Sequence, residues 1–248
     1  MSVVSGPPRA VYATAVETLA GSVVRALTGA DDAFQLADQL PSGGSPAECR
    51  AALAAVRVLG PDVLAPFVLA GFHFGAGDAE VIATSIRTFP PPEPGLDEGP
   101  DDTVLVRALR EWATGEVLTR LGVPDFACGY PERAATESGR DREWVVWAGV
   151  LAQLSPLAIP GLDGPVHADA RRHRLDVARG VTRAMLRRDH LTAARLTRWL
   201  AMSGEVPMDP PFLVEPVLRQ LELVGEADTR LQLEITIARH ALGGGASE

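Results

Sequence analysis

VHADARRHRLDVARGVTRAMLRRDHLTAARLTRWLAMS, residues 166–203, decides how this chain folds. Val166, Ala170, Val177, Val181, Ala184 and Met185 fall within one arc of about 100° on a helical wheel, which predicts a buried face. Asp169, Arg172, Asp176, Arg179, Arg183 and Arg187 fall on a second arc, roughly opposite. The pattern breaks at Asp189-His190, so helices are expected over 166–188 and 190–203. A connection that short makes neighbouring helices reverse and pack as an antiparallel hairpin. A second pair, over 211–224 and 228–242, joins in the same way at Gly225-Glu226.

Helical punctuation continues outward from these pairs. Tyr12, Val16, Leu19, Val23 and Leu27 form one stripe of a helix over 8–28, and a short helix is expected near 31–40. Ser45-Pro46-Ala47-Glu48 combines an N-cap, a first-turn proline and a capping-box glutamate, and Gly60-Pro61 marks the stop. Residues 62–74 are predicted as an apolar helix bent or broken at Pro66, followed by a helix that Asp78 caps and that runs to about 88. Asp101 and Asp102 open a helix that Arg120 and Gly122 close. WVVWAGVLAQL, 144–154, is apolar on nearly every side, which predicts a central helix surrounded by others, with Trp144 and Trp147 in the core. No segment alternates as a strand would. The fold class is therefore all-α: a multi-helix bundle or an irregular α-solenoid of antiparallel helical hairpins. PPPEPGLDEGP, 90–100, reads as a linker between helical parts 1–89 and 101–242, which are expected to pack as one domain ahead of a disordered tail at 243–248.

Composition excludes several chemistries. All 23 basic residues are arginine, and neither lysine nor asparagine occurs. Schiff-base catalysis and a P-loop lysine are thereby ruled out of this chain, as is an asparagine-oriented Cys–His pair. An A-poor coding sequence accounts for both absences. Cys49 and Cys128 are too few for a disulfide framework or a zinc motif. The net charge of −9 disfavours general binding to nucleic acid or anionic membrane. The N-terminus lacks a signal-peptide pattern, and the apolar run at 63–74 is far short of the roughly 20 residues that cross a bilayer. A cytoplasmic protein is expected.

Within HADARRHRLD, 167–176, Asp169 and His173 have the spacing to share a metal ion or relay a proton. Arg172 between them and the arginines beyond would repel a cation, so no metal and no cofactor is expected, and a solvated face accounts for the residues. What survives is the charge: residues 166–198 hold nine arginines against three aspartates, a local +6. Such an island can dock a carboxylate or phosphate, and Arg172, Arg179, Arg183 and Arg187 are the predicted contacts for a partner or anion. No aromatic residues interleave with them, as nucleic-acid stacking would need.

The favoured expectation is an interaction or accessory protein that presents a helical surface to a protein or peptide, with self-association left open. The alternative is a metal-independent enzyme acting on a small or peptide-derived substrate in an inter-helix pocket. His73, in GFHFGAGD (71–78), would then be its acid or base, with Cys128 and Tyr130 as the further candidates. As a structural residue, His73 is expected to be buried beside the flanking phenylalanines.

Overall fold

The computed structural model describes residues 9–90, 102–131, 143–202 and 212–244. These residues form α-helices and short 3₁₀ turns, with no strand among them. The chain divides into two compact units, Met1–Pro92 and Glu93–Glu248. Most of the expected linker, Asp101 and the last four residues of the expected tail lie outside the described residues.

The first unit contains α1 (Arg9–Leu27), α2 (Pro46–Leu59), α3 (Ala65–Leu69) and α4 (Ala76–Thr88), with α2 packed against both α1 and α4. The start of α2 has the capping box its sequence implies. Glu48 N donates to Ser45 Oγ at 3.3 Å, and Ser45 N donates to Glu48 Oε2 at 2.7 Å. Gly60 ends α2 at φ 59°, a conformation that suits glycine. Pro66 does not bend a helix. It sits in the first turn of α3, where its missing N–H costs nothing, after a 3₁₀ turn over Gly60–Leu64.

The helix expected near 31–40 is reduced to a 3₁₀ turn, Ala37–Gln39, and Asp31 pairs with Arg25 at 3.2 Å. Asp78 is not the N-cap of α4 but lies in its first turn, buried. Its Oδ2 accepts from Gly75 N at 2.9 Å and its Oδ1 from Ala37 N at 3.1 Å, so one carboxylate fastens the 3₁₀ turn to the start of α4. Taken across the Gly60 turn, Pro46–Leu69 is a 24-residue stretch containing an 18-residue window of mean hydropathy 1.7, long and apolar enough to span a membrane. The stop at Gly60-Pro61 hides that continuity in the sequence. Two-thirds of the window is buried inside the unit (67%), which accounts for its apolarity.

The second unit contains α5 (Asp102–Arg120), α6 (Trp144–Gln153), α7 (Pro165–Arg172), α8 (Arg174–Leu186), α9 (His190–Ala201), α10 (Val214–Val224) and α11 (Thr229–Gly244). The middle helix is α9: it buries eight of its twelve residues and packs against α6, α8, α10 and α11. Both expected hairpins are present. Between α8 and α9, Arg188 takes the left-handed conformation at φ 59°, and Asp189 caps α9 by accepting from Thr192 N at 3.1 Å. Between α10 and α11, Asp228 accepts from Leu231 N at 3.0 Å.

Two expectations for this unit need correction. The helix predicted over 166–188 is broken at His173 (φ −105°, ψ 30°), whose ring packs edge-on against Trp147 at 5.7 Å. The break separates α7 from α8, and His167, on α7, is buried. Nor is α6 enclosed. It buries Trp147, Ala148, Leu151 and Ala152, but Val146 is 50% exposed and Trp144 is only half-buried.

The centre of this unit is ionic. The side chains of Arg198 and Glu234 are 0% and 1% exposed, and Arg198 Nη1 donates to Glu234 Oε2 at 3.0 Å. Arg195 Nε (3.3 Å) and Ser155 Oγ (2.9 Å) donate to Oε1, and Arg198 Nε donates to the Ala158 carbonyl at 2.8 Å. Burial alone would raise the Glu234 pKa, but the facing guanidiniums of Arg198 and Arg195 hold it below the usual carboxylate range. Breaking such a buried pair from one side leaves an uncompensated charge and costs about 3–5 kcal/mol, whereas an apolar pair of similar volume is close to neutral. Urea unfolding is therefore expected to show Glu234→Leu and Arg198→Met each strongly destabilised, and the double variant less destabilised than the sum of the two.

Candidate functional site

On α8, Arg179, Arg183 and Arg187 succeed one another four residues apart, a stride of about 6 Å along the helix axis. All three are exposed. Gly180, three residues before Arg183 and on the same side of the helix, lets α8 lie close to its neighbours: an added Cβ would sit 2.9 Å from Leu196 of α9 and 3.1 Å from Ala148 of α6. With α6 and α8 seated on α9 in this way, a cleft of about 690 Å³ opens along their outer side. Its walls are the three arginines with Trp144, Leu175, Leu186 and Phe212. A second cleft of about 220 Å³ shares Trp144, Arg183 and Arg187 and extends to Asp189 and Thr192, so the two form one trough. Leu186, 81% exposed, stands on its rim.

The electrostatics of the trough are one-sided. Arg179 is bonded to Asp176 at 2.8 Å, but Arg183 and Arg187 have no carboxylate or hydrogen-bond partner among the described residues. Asp189 is the one carboxylate in the walls, and its Oδ1 is occupied in capping α9. Two free guanidiniums beside an indole and a strip of aliphatic carbon can take a ligand that is both anionic and apolar.

Of the four arginines singled out in the sequence, the structure gathers three. Arg172 lies on α7, beyond the break at His173, pairs with Asp169 at 2.9 Å and takes no part in the trough. Trp144, Leu186 and Phe212 were missed. Their signal was present, since an all-apolar helix and an arginine stripe in one chain can share a groove, but periodicity assigned Trp144 to the core. Asp169 and His173 do not converge: Asp169 holds Arg172, and His173 Nδ1 is 3.9 Å from Asp176. Among the described residues, no three His, Cys, Asp or Glu side chains gather closely enough to hold a metal ion.

The residues of the catalytic alternative are placed otherwise than expected. His73 is exposed rather than buried. The chain is not helical over 71–75, and side chains there alternate in direction: Phe72 and Phe74 turn inward, to Phe34 (6.3 Å) and Phe67 (5.0 Å), while His73 turns out. Partial burial and the nearby carboxylates of Glu111 and Glu116 push the Cys128 thiol up, away from the thiolate. The Tyr130 hydroxyl accepts from Val166 N at 3.2 Å at the start of α7, its ring lies edge-on to Trp112 at 4.8 Å, and burial pushes its pKa up. His73 belongs to the first unit, and Cys128 and Tyr130 to the second. None of the three lines either cleft of the trough, nor the cleft of about 770 Å³ between α1 and α2 of the first unit. Compared with protein-family models, with curated proteins and with solved structures, the chain matches none.

His167, read from the sequence as surface, packs between Trp112 (6.5 Å) and Trp199 (5.2 Å). Its Nε2 lies 3.0 Å from the Leu157 carbonyl, which can only accept, so Nε2 carries the proton and the buried Nδ1 is left with a lone pair and no partner among the described residues. Desolvation therefore lowers its pKa. Above about pH 6.5 the histidine is neutral in both folded and unfolded chains, and its contribution to stability is complete. As the pH falls below that, the unfolded chain takes up a proton that the folded one refuses, and the contribution is lost down to the folded pKa. Urea unfolding is expected to weaken from pH 7 to pH 5 with a slope that His167→Phe makes shallower by one proton, even though the variant is less stable at pH 8 because Leu157 loses its donor.

Proposed function

We propose that this protein is a helical interaction or accessory protein that binds a protein or peptide partner in the trough between α6 and α8. One observation carries the proposal: Arg183 and Arg187, without ion-pair partners among the described residues, line the same apolar trough as Trp144. Arginine and tryptophan dominate binding energy where they are desolvated together, and Leu186 adds apolar surface that water otherwise covers. Most wall residues belong to α6, α8 or their caps, so little backbone ordering opposes binding there. In this proposal the surface works at a cytoplasmic location, without cofactor, membrane or nucleic acid. The net charge of −9 supports the last two points, because the chain as a whole repels anionic polymers and surfaces.

The test is affinity purification from the source cells with a photo-reactive residue in place of Leu186. Arg183→Glu/Arg187→Glu is expected to leave the melting temperature nearly unchanged, since both side chains are exposed, and to cut the cross-linked partner at least tenfold. Equal recovery from the charge-reversed protein would overturn the proposal.

A further inference from the structure

We infer that the occupant of the trough is an acidic amphipathic α-helix. The inference rests on the groove proposed above and goes beyond it by fixing the partner's secondary structure and charge pattern. Hydrogen bonding supplies the first reason. The α6 and α8 sides of the trough are helices, whose internal N–H and C=O groups are already paired, so neither offers a free backbone edge; Phe212 joins them from the non-helical residues before α10. An extended peptide entering it would bury its own backbone groups unpaired, whereas a helix arrives with them satisfied and presents side chains alone.

Spacing supplies the second reason. Arg179, Arg183 and Arg187 advance by about 6 Å per step, or about 12 Å in all, the same stride as three carboxylates placed four residues apart on a second helix. Acids at that spacing meet the three guanidiniums in register, and Leu, Phe or Met on the adjoining stripe lie over Trp144, Leu175, Leu186 and Phe212. Arg183 and Arg187 are free to pair at once, while Arg179 exchanges Asp176 for the incoming acid. Asp189 marks the end of the trough where a further carboxylate would be repelled, which fixes the length of the acidic run. A nucleic acid would satisfy the arginines but would leave the aliphatic walls facing phosphate and sugar.

The experiment measures fluorescence anisotropy on the full chain with a labelled peptide about 16 residues long, enough for a helix of roughly four turns. The peptide carries three Glu at four-residue spacing beside a Leu/Phe stripe. The comparison probes are a Lys-for-Glu version, a version with Pro at its centre, and a single-stranded RNA of equal charge. The acidic helical peptide is expected to bind, with affinity falling at least tenfold in Arg183→Glu/Arg187→Glu, at least tenfold for the proline version, and further with added salt. Equal binding of the proline version would show that the trough reads charge on an extended chain, and tighter binding of the RNA would replace the peptide as occupant. Either result overturns the inference. If no peptide binds while partner capture still depends on Arg183 and Arg187, the helix is wrong and the interaction surface stands. Loss of both removes both.

Discussion

Glu234 has no route to water, and the second unit is organised around keeping it charged. Taking a carboxylate and a guanidinium out of water costs several kcal/mol for each ion, a cost offset only where every lone pair and N–H finds a partner. Here the partners come from three places: Arg195 and Arg198 on α9, Ser155 on the segment after α6, and Glu234 itself on α11. Arg198 also holds the Ala158 carbonyl, and its neighbour Trp199 donates to the Leu151 carbonyl at 2.9 Å. These bonds have directions, unlike the apolar contacts around them, and together they fix the rotation of α9 about its own axis.

That rotation sets the outer layer. With Arg198 and Trp199 committed inward, Leu196 meets Gly180, and α8 seats where a side chain at that position would clash. Arg183 and Arg187, three and seven residues after Gly180 on the same side of α8, then turn to solvent beside the start of α6. The apolar helix α6 is thereby left with Val146 exposed and Trp144 half-covered, next to two arginines with no ion-pair partner among the described residues. A folded chain gains nothing from that arrangement, because a half-exposed indole and repelling guanidiniums both work against stability. Burial against an acidic, apolar surface would remove both penalties at once.

The first unit follows a similar logic on a smaller scale. A buried carboxylate, Asp78, accepts from two backbone amides that lack helical partners, one on each side of the Phe34–Phe67–Phe74 aromatic cluster's connecting segments. In its cleft between α1 and α2, Glu48 is held by its capping box and Arg25 by Asp31.

Local signals determined most of the secondary structure. Apolar spacing gave the helices, Ser45-Pro46-Ala47-Glu48 gave an actual capping box, and Asp189-His190 gave a hairpin, because each of these depends on residues within one or two turns of the chain. Local pattern failed where a partner from elsewhere decided the outcome. His173 breaks a helix against Trp147, His167 is buried by Trp112 and Trp199, and Asp78 moves inside its helix to reach Ala37. The arginine stripe was legible because it lies on one helix, but its groove was not, because Trp144 and Phe212 reach it only through packing. Sequence alone settled that the chain is helical and where its charge gathers. Tertiary structure decided which apolar face stays open and which charges go unpaired, since both depend on how α9 is turned, and that is fixed by bonds between residues as far apart as Ser155, Arg198 and Glu234.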